Sequence, residues 1–257
     1  MRRQFFLASA GALALTGPAL AADLAPPPPA YLPPPPIFTF TGLYVGAQVG
    51  YAWAHDSANV FVPALPGGFD YSIQPKGVIG GFHVGYNLQY NQWLLGAEGT
   101  VDGTSLRGTT GLFTPLFAAS VSSREIVQGS IRLRAGYVWN RLLIYATGGA
   151  AFSGIHNGYD AVSAIDFGLD QTIDRTRAGW TVGGGLEYAI TPLWSVRAEY
   201  RYSDFGHFTD FPFAGLTTNP TLYTVTSGHH VTENQVQAGV SYKLDLTPPA
   251  PPVVAKY

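Results

Sequence analysis

Between residues 42 and 245, apolar side chains recur at every second position in eight separate segments. In the first, Leu43, Val45, Ala47, Val49, Tyr51 and Trp53 alternate with Tyr44, Gly46, Gln48, Gly50 and Ala52. Successive side chains of a β-strand point to opposite faces, so a period of two describes a strand with one face in an apolar medium. The alternation returns over residues 82–90, 95–102, 127–137, 144–153, 180–188, 194–202 and 235–244. None of Pro63, Pro66, Pro75, Pro115, Pro192, Pro212 and Pro220 interrupts a segment, as central strands require.

Charge decides which face meets water. One face of the eight segments carries Glu98, Asp102, Arg132, Arg134, Glu187, Arg197, Glu199, Arg201 and Lys243, five cations against four anions. The other face carries no Asp, Glu, Lys or Arg. A soluble barrel of lipocalin type would put its charges outside, and an uncharged exterior over eight strands would aggregate in water. A lipid-facing exterior requires that absence. Only 12% of the residues are charged, about half the roughly 25% of a soluble domain. Tyr51, Trp53, Tyr90, Tyr137, Trp180, Trp194 and Tyr242 lie on the apolar face near segment ends, where Trp and Tyr suit a membrane–water boundary.

The connections separate into two kinds. Three are tight, at Asn91-Gln92, Asn140-Arg141 and Thr191-Pro192, and four are long, over residues 56–75, 108–124, 158–175 and 207–230. The fold class expected is therefore all-β. It is an eight-stranded antiparallel up-and-down transmembrane β-barrel with short periplasmic turns and four long extracellular loops. So narrow a barrel is filled by its own side chains, and near-equal numbers of each charge allow the lumen to be neutralised. A structural plug is the expectation, with a narrow passive pore as the alternative.

The ends read differently. Arg2 and Arg3, the apolar stretch from Phe5 to Leu15 and the small residues Ala19 and Ala21 form an export signal over residues 1–21. The apolar stretch is too short for the roughly 20 residues of a spanning helix. Eight of the 20 prolines fall in a leader over residues 22–41, and four more in a tail over residues 246–257. Clustered prolines favour extended polyproline II and build no core. The barrel domain is therefore expected over residues 42–245.

Several chemistries are excluded. The absence of Cys removes disulfides, thiolate metal sites and cysteine nucleophiles. A formal charge of −2 without a basic stretch argues against nucleic acid. No phosphate loop, serine-hydrolase elbow or zinc-protease motif occurs. Ser153 and His156 are the nearest pair to a catalytic set, but three residues apart on a strand they face opposite sides. His229 and His230 are the one local histidine pair, a candidate for haem, although adjacent strand residues also diverge. Asp160, Asp166, Asp170 and Asp174 make an acidic loop without the spacing of a calcium loop. Arg107, Arg124, Arg175 and Arg177 are placed to meet lipid phosphates. No enzyme activity, cofactor or metal is expected.

The chain resembles the small eight-stranded outer-membrane immunogenic (porin-family) proteins of Gram-negative bacteria. The resemblance is carried by FTGLYVGA at residues 40–47, GGFHVGYN at 80–87, IRLRAGY at 131–137, YATGGAAF at 145–152, GWTVGGGLEY at 179–188 and RAEYRY at 197–202. It implies a cell outer membrane location, exposed antigenic loops and no assigned catalysis. Some relatives are described as haem-binding, which would point to His229 and His230. It also implies recognition by the barrel-assembly machinery, and Gln237, Gly239, Tyr242 and Leu244 fit that machinery's terminal signal, here followed by the proline-rich tail. The partners expected are outer-membrane lipids, lipopolysaccharide and, through the proline-rich tails, peptidoglycan.

Overall fold

The computed structural model describes residues 38–61, 69–114, 117–163, 167–212 and 226–245. The export signal, the leader up to residue 37 and the tail from residue 246 lie outside the described residues, as does Asp166.

Ten strand segments form the fold: β1 (Gly42–Phe61), β2 (Phe69–Ile73), β3 (Lys76–Tyr90), β4 (Trp93–Thr104), β5 (Arg107–Thr114), β6 (Phe117–Trp139), β7 (Leu142–Ser163), β8 (Phe167–Ala189), β9 (Trp194–Asp210) and β10 (Thr226–Lys243). Eight of them close on themselves in the order β1, β10, β9, β8, β7, β6, β4, β3 and back to β1, every pairing antiparallel. β2 continues the stave of β3 beyond a break at Gln74 and Pro75, and β5 continues β4 beyond Ser105 and Leu106. Closure leaves the ring no open edge, the condition for a sheet to sit in lipid.

The tight turns follow from their residues. Asn91 and Asn140 take positive φ angles of 54° and 57°, a region Asn tolerates. Tyr90 thereby pairs directly with Trp93, and Trp139 with Leu142. The third turn is wider than the Thr191-Pro192 pair alone. β8 ends at Ala189 and β9 begins at Trp194, while Thr191 Oγ1 accepts from the Trp194 amide at 2.9 Å.

Large apolar side chains lie outside. Phe82 is 74% exposed, Leu133 71% and Ile131 68%, whereas Arg132 and Arg134 between and beside them are 1% exposed. Two aromatic girdles bound this band. Tyr90, Trp93, Tyr137, Trp194 and Tyr242 flank the tight turns, with Trp93 edge-on to Tyr137 and Trp194 against Tyr242. Trp53, Trp180 and Tyr202 lie toward the other end, and Trp180 packs against Tyr202 at 5.5 Å.

Of the four connections expected as long loops, those over residues 108–124 and 158–175 are in large part strand, and the described parts of the other two begin and end in strand. β6 and β7 stay paired out to Phe117 and Ser163, and β7 and β8 to Ser163 and Phe167. β5 pairs with β6 from Arg107 to Thr114. Beyond the lipid the outer face meets water and the inner face packs on polar neighbours such as Asn157 and Asp210, so Ser, Thr, Asn and Gly lose the apolar alternation while the backbone keeps its hydrogen-bonded ladder.

The leader is also corrected at its end. Phe40 is 6% exposed and packs with Leu94, Val138, Leu143, Tyr145 and Ala189 inside the turn end of the barrel, with Phe38 against them. The Phe40 amide donates to Gln89 Oε1 at 2.9 Å. These two aromatics sit inside the barrel at its periplasmic mouth.

Candidate functional site

The inward positions of the ring stack in layers from the turn end upward. Above the Phe40 floor a cavity of about 20 Å³ remains between Phe38, Phe40, Tyr44, Asn87 and Glu187, room for about one water.

The next layers are ionic. Glu98, on β4, is held by Arg132 at 2.6 Å, Arg197 at 2.5 Å and Arg134 at 3.5 Å, and accepts from the Tyr44 hydroxyl at 2.8 Å. Arg134 pairs with Glu187 at 2.7 Å and lies 4.1 Å over the Tyr145 ring. Glu199 binds Arg132 at 2.5 Å and Arg201 at 3.1 Å and accepts from Tyr145 at 2.9 Å. Asp102 accepts from Gln48 at 2.6 Å and lies 3.9 Å from Arg201. Four arginines therefore face four carboxylates, all of them buried. Burying either sign alone would cost several kcal/mol per ion.

Lys243 is not part of this network. It sits at the end of β10, where its Nζ donates to the Thr39 carbonyl at 2.6 Å. Side-chain parity places Lys243 on the inner face, but its depth is at the mouth. Removing it turns the expected five-to-four charge count into four against four.

Glycine makes the room these long side chains occupy. A Cβ on Gly85 would lie 2.3 Å from the Tyr44 hydroxyl, and one on Gly185 2.8 Å from the Tyr145 hydroxyl.

An amide and carboxyl layer follows. Gln128 donates to Glu233 at 3.0 Å, Gln235 to Glu233 at 2.5 Å, and Gln235 also to Gln128. Glu125 adjoins Glu233 on the extracellular side of Ile126 and Val127, beyond the lipid-facing band. Burial and the neighbouring Glu233 carboxylate push the Glu125 carboxyl well above the ordinary carboxylate range.

Inward side chains also cluster toward the outer mouth. His229 binds Asp56 through Nδ1 at 2.9 Å and meets Tyr159 and Ser227 through Nε2 at 3.0 and 2.9 Å. Phe208 stacks on its ring at 5.0 Å, over Ala151, Ile155, Phe205 and Val231. Tyr159 donates to Asp210 at 3.0 Å. Burial and the Asp210 carboxylate hold the Tyr159 hydroxyl far above its usual range, so it remains a donor.

The histidine pair does not converge on one ligand. His229 is inward and 2% exposed. His230 is on the outer face, stacked on His207 at 4.1 Å and 3.3 Å from Asp204. Ser153 is likewise inward, while His156 faces out and binds Asp174 at 2.5 Å. Among the described residues no three His, Asp or Glu side chains are grouped to hold a metal. Gln237 and Gly239 of the terminal signal face the lumen, Tyr242 faces out against Trp194, and the Leu244 amide donates to the Leu43 carbonyl at 2.8 Å. Tyr44, Gln48, Tyr145, Gln128, Glu233 and Gln235 complete the filling and were not singled out in the sequence, although each occupies an inner-face position.

A closed eight-strand ring with a charged interior and an uncharged, aromatic-bounded exterior agrees with the family comparison. The family model for the outer membrane protein beta-barrel domain matches residues 8–243. The chain belongs to this family. Within it, the chain is 32% identical over 241 residues to the 31 kDa outer-membrane immunogenic protein of Brucella melitensis, covering 88% of this chain and 98% of the relative. It is 30% identical over 245 residues to the 25 kDa outer-membrane immunogenic protein of Brucella abortus, covering 94% and 98%. The crystal structure of OprG from Pseudomonas aeruginosa superposes with a TM-score of 0.53 at 12% identity, over 79% of this chain and 96% of that one. This family member is thus an outer-membrane β-barrel protein.

Proposed function

We propose that the protein is a non-enzymatic barrel whose lumen is held shut by its own side chains, contributing to envelope integrity and surface interaction rather than to transport. The observation that carries this reading is the contact between Arg197 and Glu98. Their strands, β9 and β4, are four staves apart in either direction round the ring, so the pair spans the full diameter. Gln128 on β6 and Glu233 on β10 do the same nearer the outer mouth. An apolar floor and the His229 cluster block the two ends. The opposed faces of Ser153 and His156 support the absence of catalysis.

Solute efflux tests the reading. Vesicles carrying the refolded protein are expected to release a trapped small sugar no faster than protein-free vesicles. Release that rises with the amount of protein would overturn it.

A further inference from the structure

The strand register places a row of cations on the outer surface. Lys76 pairs directly with Arg107, Arg107 with Arg124, and Arg124 with His156, across β3, β5, β6 and β7. Lys76, Arg107 and Arg124 are exposed. They share the outer face with Val78, 55% exposed, and Ile126, 38% exposed, each two residues nearer the lipid-facing band. Trp53 of the outer girdle is the cross-strand partner of Lys76, so the row begins at the membrane boundary. Asp174 ends it, already bound to His156.

Like charges directly opposite on a sheet repel. Among the described residues none of Lys76, Arg107 and Arg124 has an ion-pair partner, unlike the arginines of the lumen. The other two rim arginines do not join the row. Arg175 turns inward to Asp210 at 3.3 Å, and Arg177 lies over the inward Phe208 ring at 3.8 Å. Three unpaired cations therefore stand side by side at headgroup height on one side of the barrel only.

We infer that this row binds the phosphate groups of an outer-leaflet glycolipid. Arg presents a planar fork of donors that matches phosphate. Phosphates packed against the girdle would cancel the repulsion among the three cations, while the acyl chains lie against Val78 and Ile126. The site goes beyond the closed-lumen reading and holds whether or not the lumen conducts.

The test is lipid retention by the refolded full chain in phosphatidylcholine nanodiscs. The probes are lipid A bearing its two phosphates, the same lipid after phosphate removal, and inorganic phosphate alone. Wild type is expected to retain the phosphorylated form selectively. Lys76→Gln/Arg107→Gln/Arg124→Gln is expected to lose about a hundredfold in affinity, and Arg107→Gln alone about fivefold. Arg175→Gln/Arg177→Gln is expected to retain lipid as wild type does. Heat-dependent gel mobility reports folding of each variant, and Arg107→Gln carries the test if the triple variant does not fold. Equal retention by wild type and a folded row variant would overturn the inference, as would equal retention of the two lipids. Displacement of the lipid by inorganic phosphate at equal concentration would assign a free anion instead, and overturn the lipid site.

Discussion

Arg197 on β9 reaches across the barrel to Glu98 on β4, Nη1 to Oε2 at 2.5 Å, although 99 residues separate them in sequence. Glu98 is the point at which Arg132, Arg134 and Arg197 meet. Side chains from opposite walls therefore meet inside the lumen.

Glu98→Ala should leave three buried guanidinium groups without their shared partner. Removing one member of a buried ion pair costs about 3–5 kcal/mol. Urea titration of the refolded protein, followed by heat-dependent gel mobility, should show a clearly lowered midpoint. An unchanged midpoint would mean that the network contributes no stability.

The inside-out arrangement makes exposure a poor guide to tolerance. Leu133 is 71% exposed, and a soluble protein would accept Arg there. In lipid near mid-depth, Leu133→Arg should cost about 2–4 kcal/mol. Folding yield into vesicles checks this, with Thr109→Arg, on the outer face of β5 beyond the lipid band, expected to fold as wild type does.

Gly85 carries a packing requirement. A methyl at that position would meet the Tyr44 hydroxyl at 2.3 Å and force it from Glu98 and Arg134. Gly85→Ala should destabilise by about 1–3 kcal/mol, measured in the same titration. Gly168, whose Cβ would meet nothing within 4 Å, should accept Ala without loss.

Glu125 gives a pH dependence whose sign is fixed. Burial and Glu233 raise its folded carboxyl above the unfolded value, so the folded state binds the proton more tightly. That stabilisation is fully present below the ordinary glutamate value and is lost as pH rises through the raised one. Glu125→Gln should therefore be more stable than wild type at pH 8, with the difference shrinking toward pH 4. Equal stabilities at pH 8 would contradict the carboxyl pair.

What the sequence made legible was what lipid dictates. Leu95, Leu133 and Ile144 face outward as their alternation indicates, because a hydrocarbon medium tolerates no charge on that side. The extension of β5, β6 and β7 beyond the lipid was hidden, because Thr109, Ser122 and Asn157 show no apolar period. Phe38 and Phe40 were hidden for a different reason. Neighbouring prolines dominate the composition, and packing under the barrel leaves no periodic trace over three residues. Parity placed Arg132 and Glu199 together, but it gives side and not depth, and so it wrongly drew in Lys243. The inward turn of Arg175 and Arg177 was illegible too. Parity counted back from Trp180 puts both inward, but Ala178 and Thr176 carry no apolar period to show that the strand continues.

The claim that these layers seal the barrel is met most directly by single-channel recording on refolded protein in a planar bilayer. Insertion should produce no steady current above that of the bare bilayer at either polarity, while Glu98→Ala/Arg197→Ala, which removes the bridge across the diameter, should give intermittent openings. A steady unitary conductance from the wild-type protein would contradict the sealed lumen.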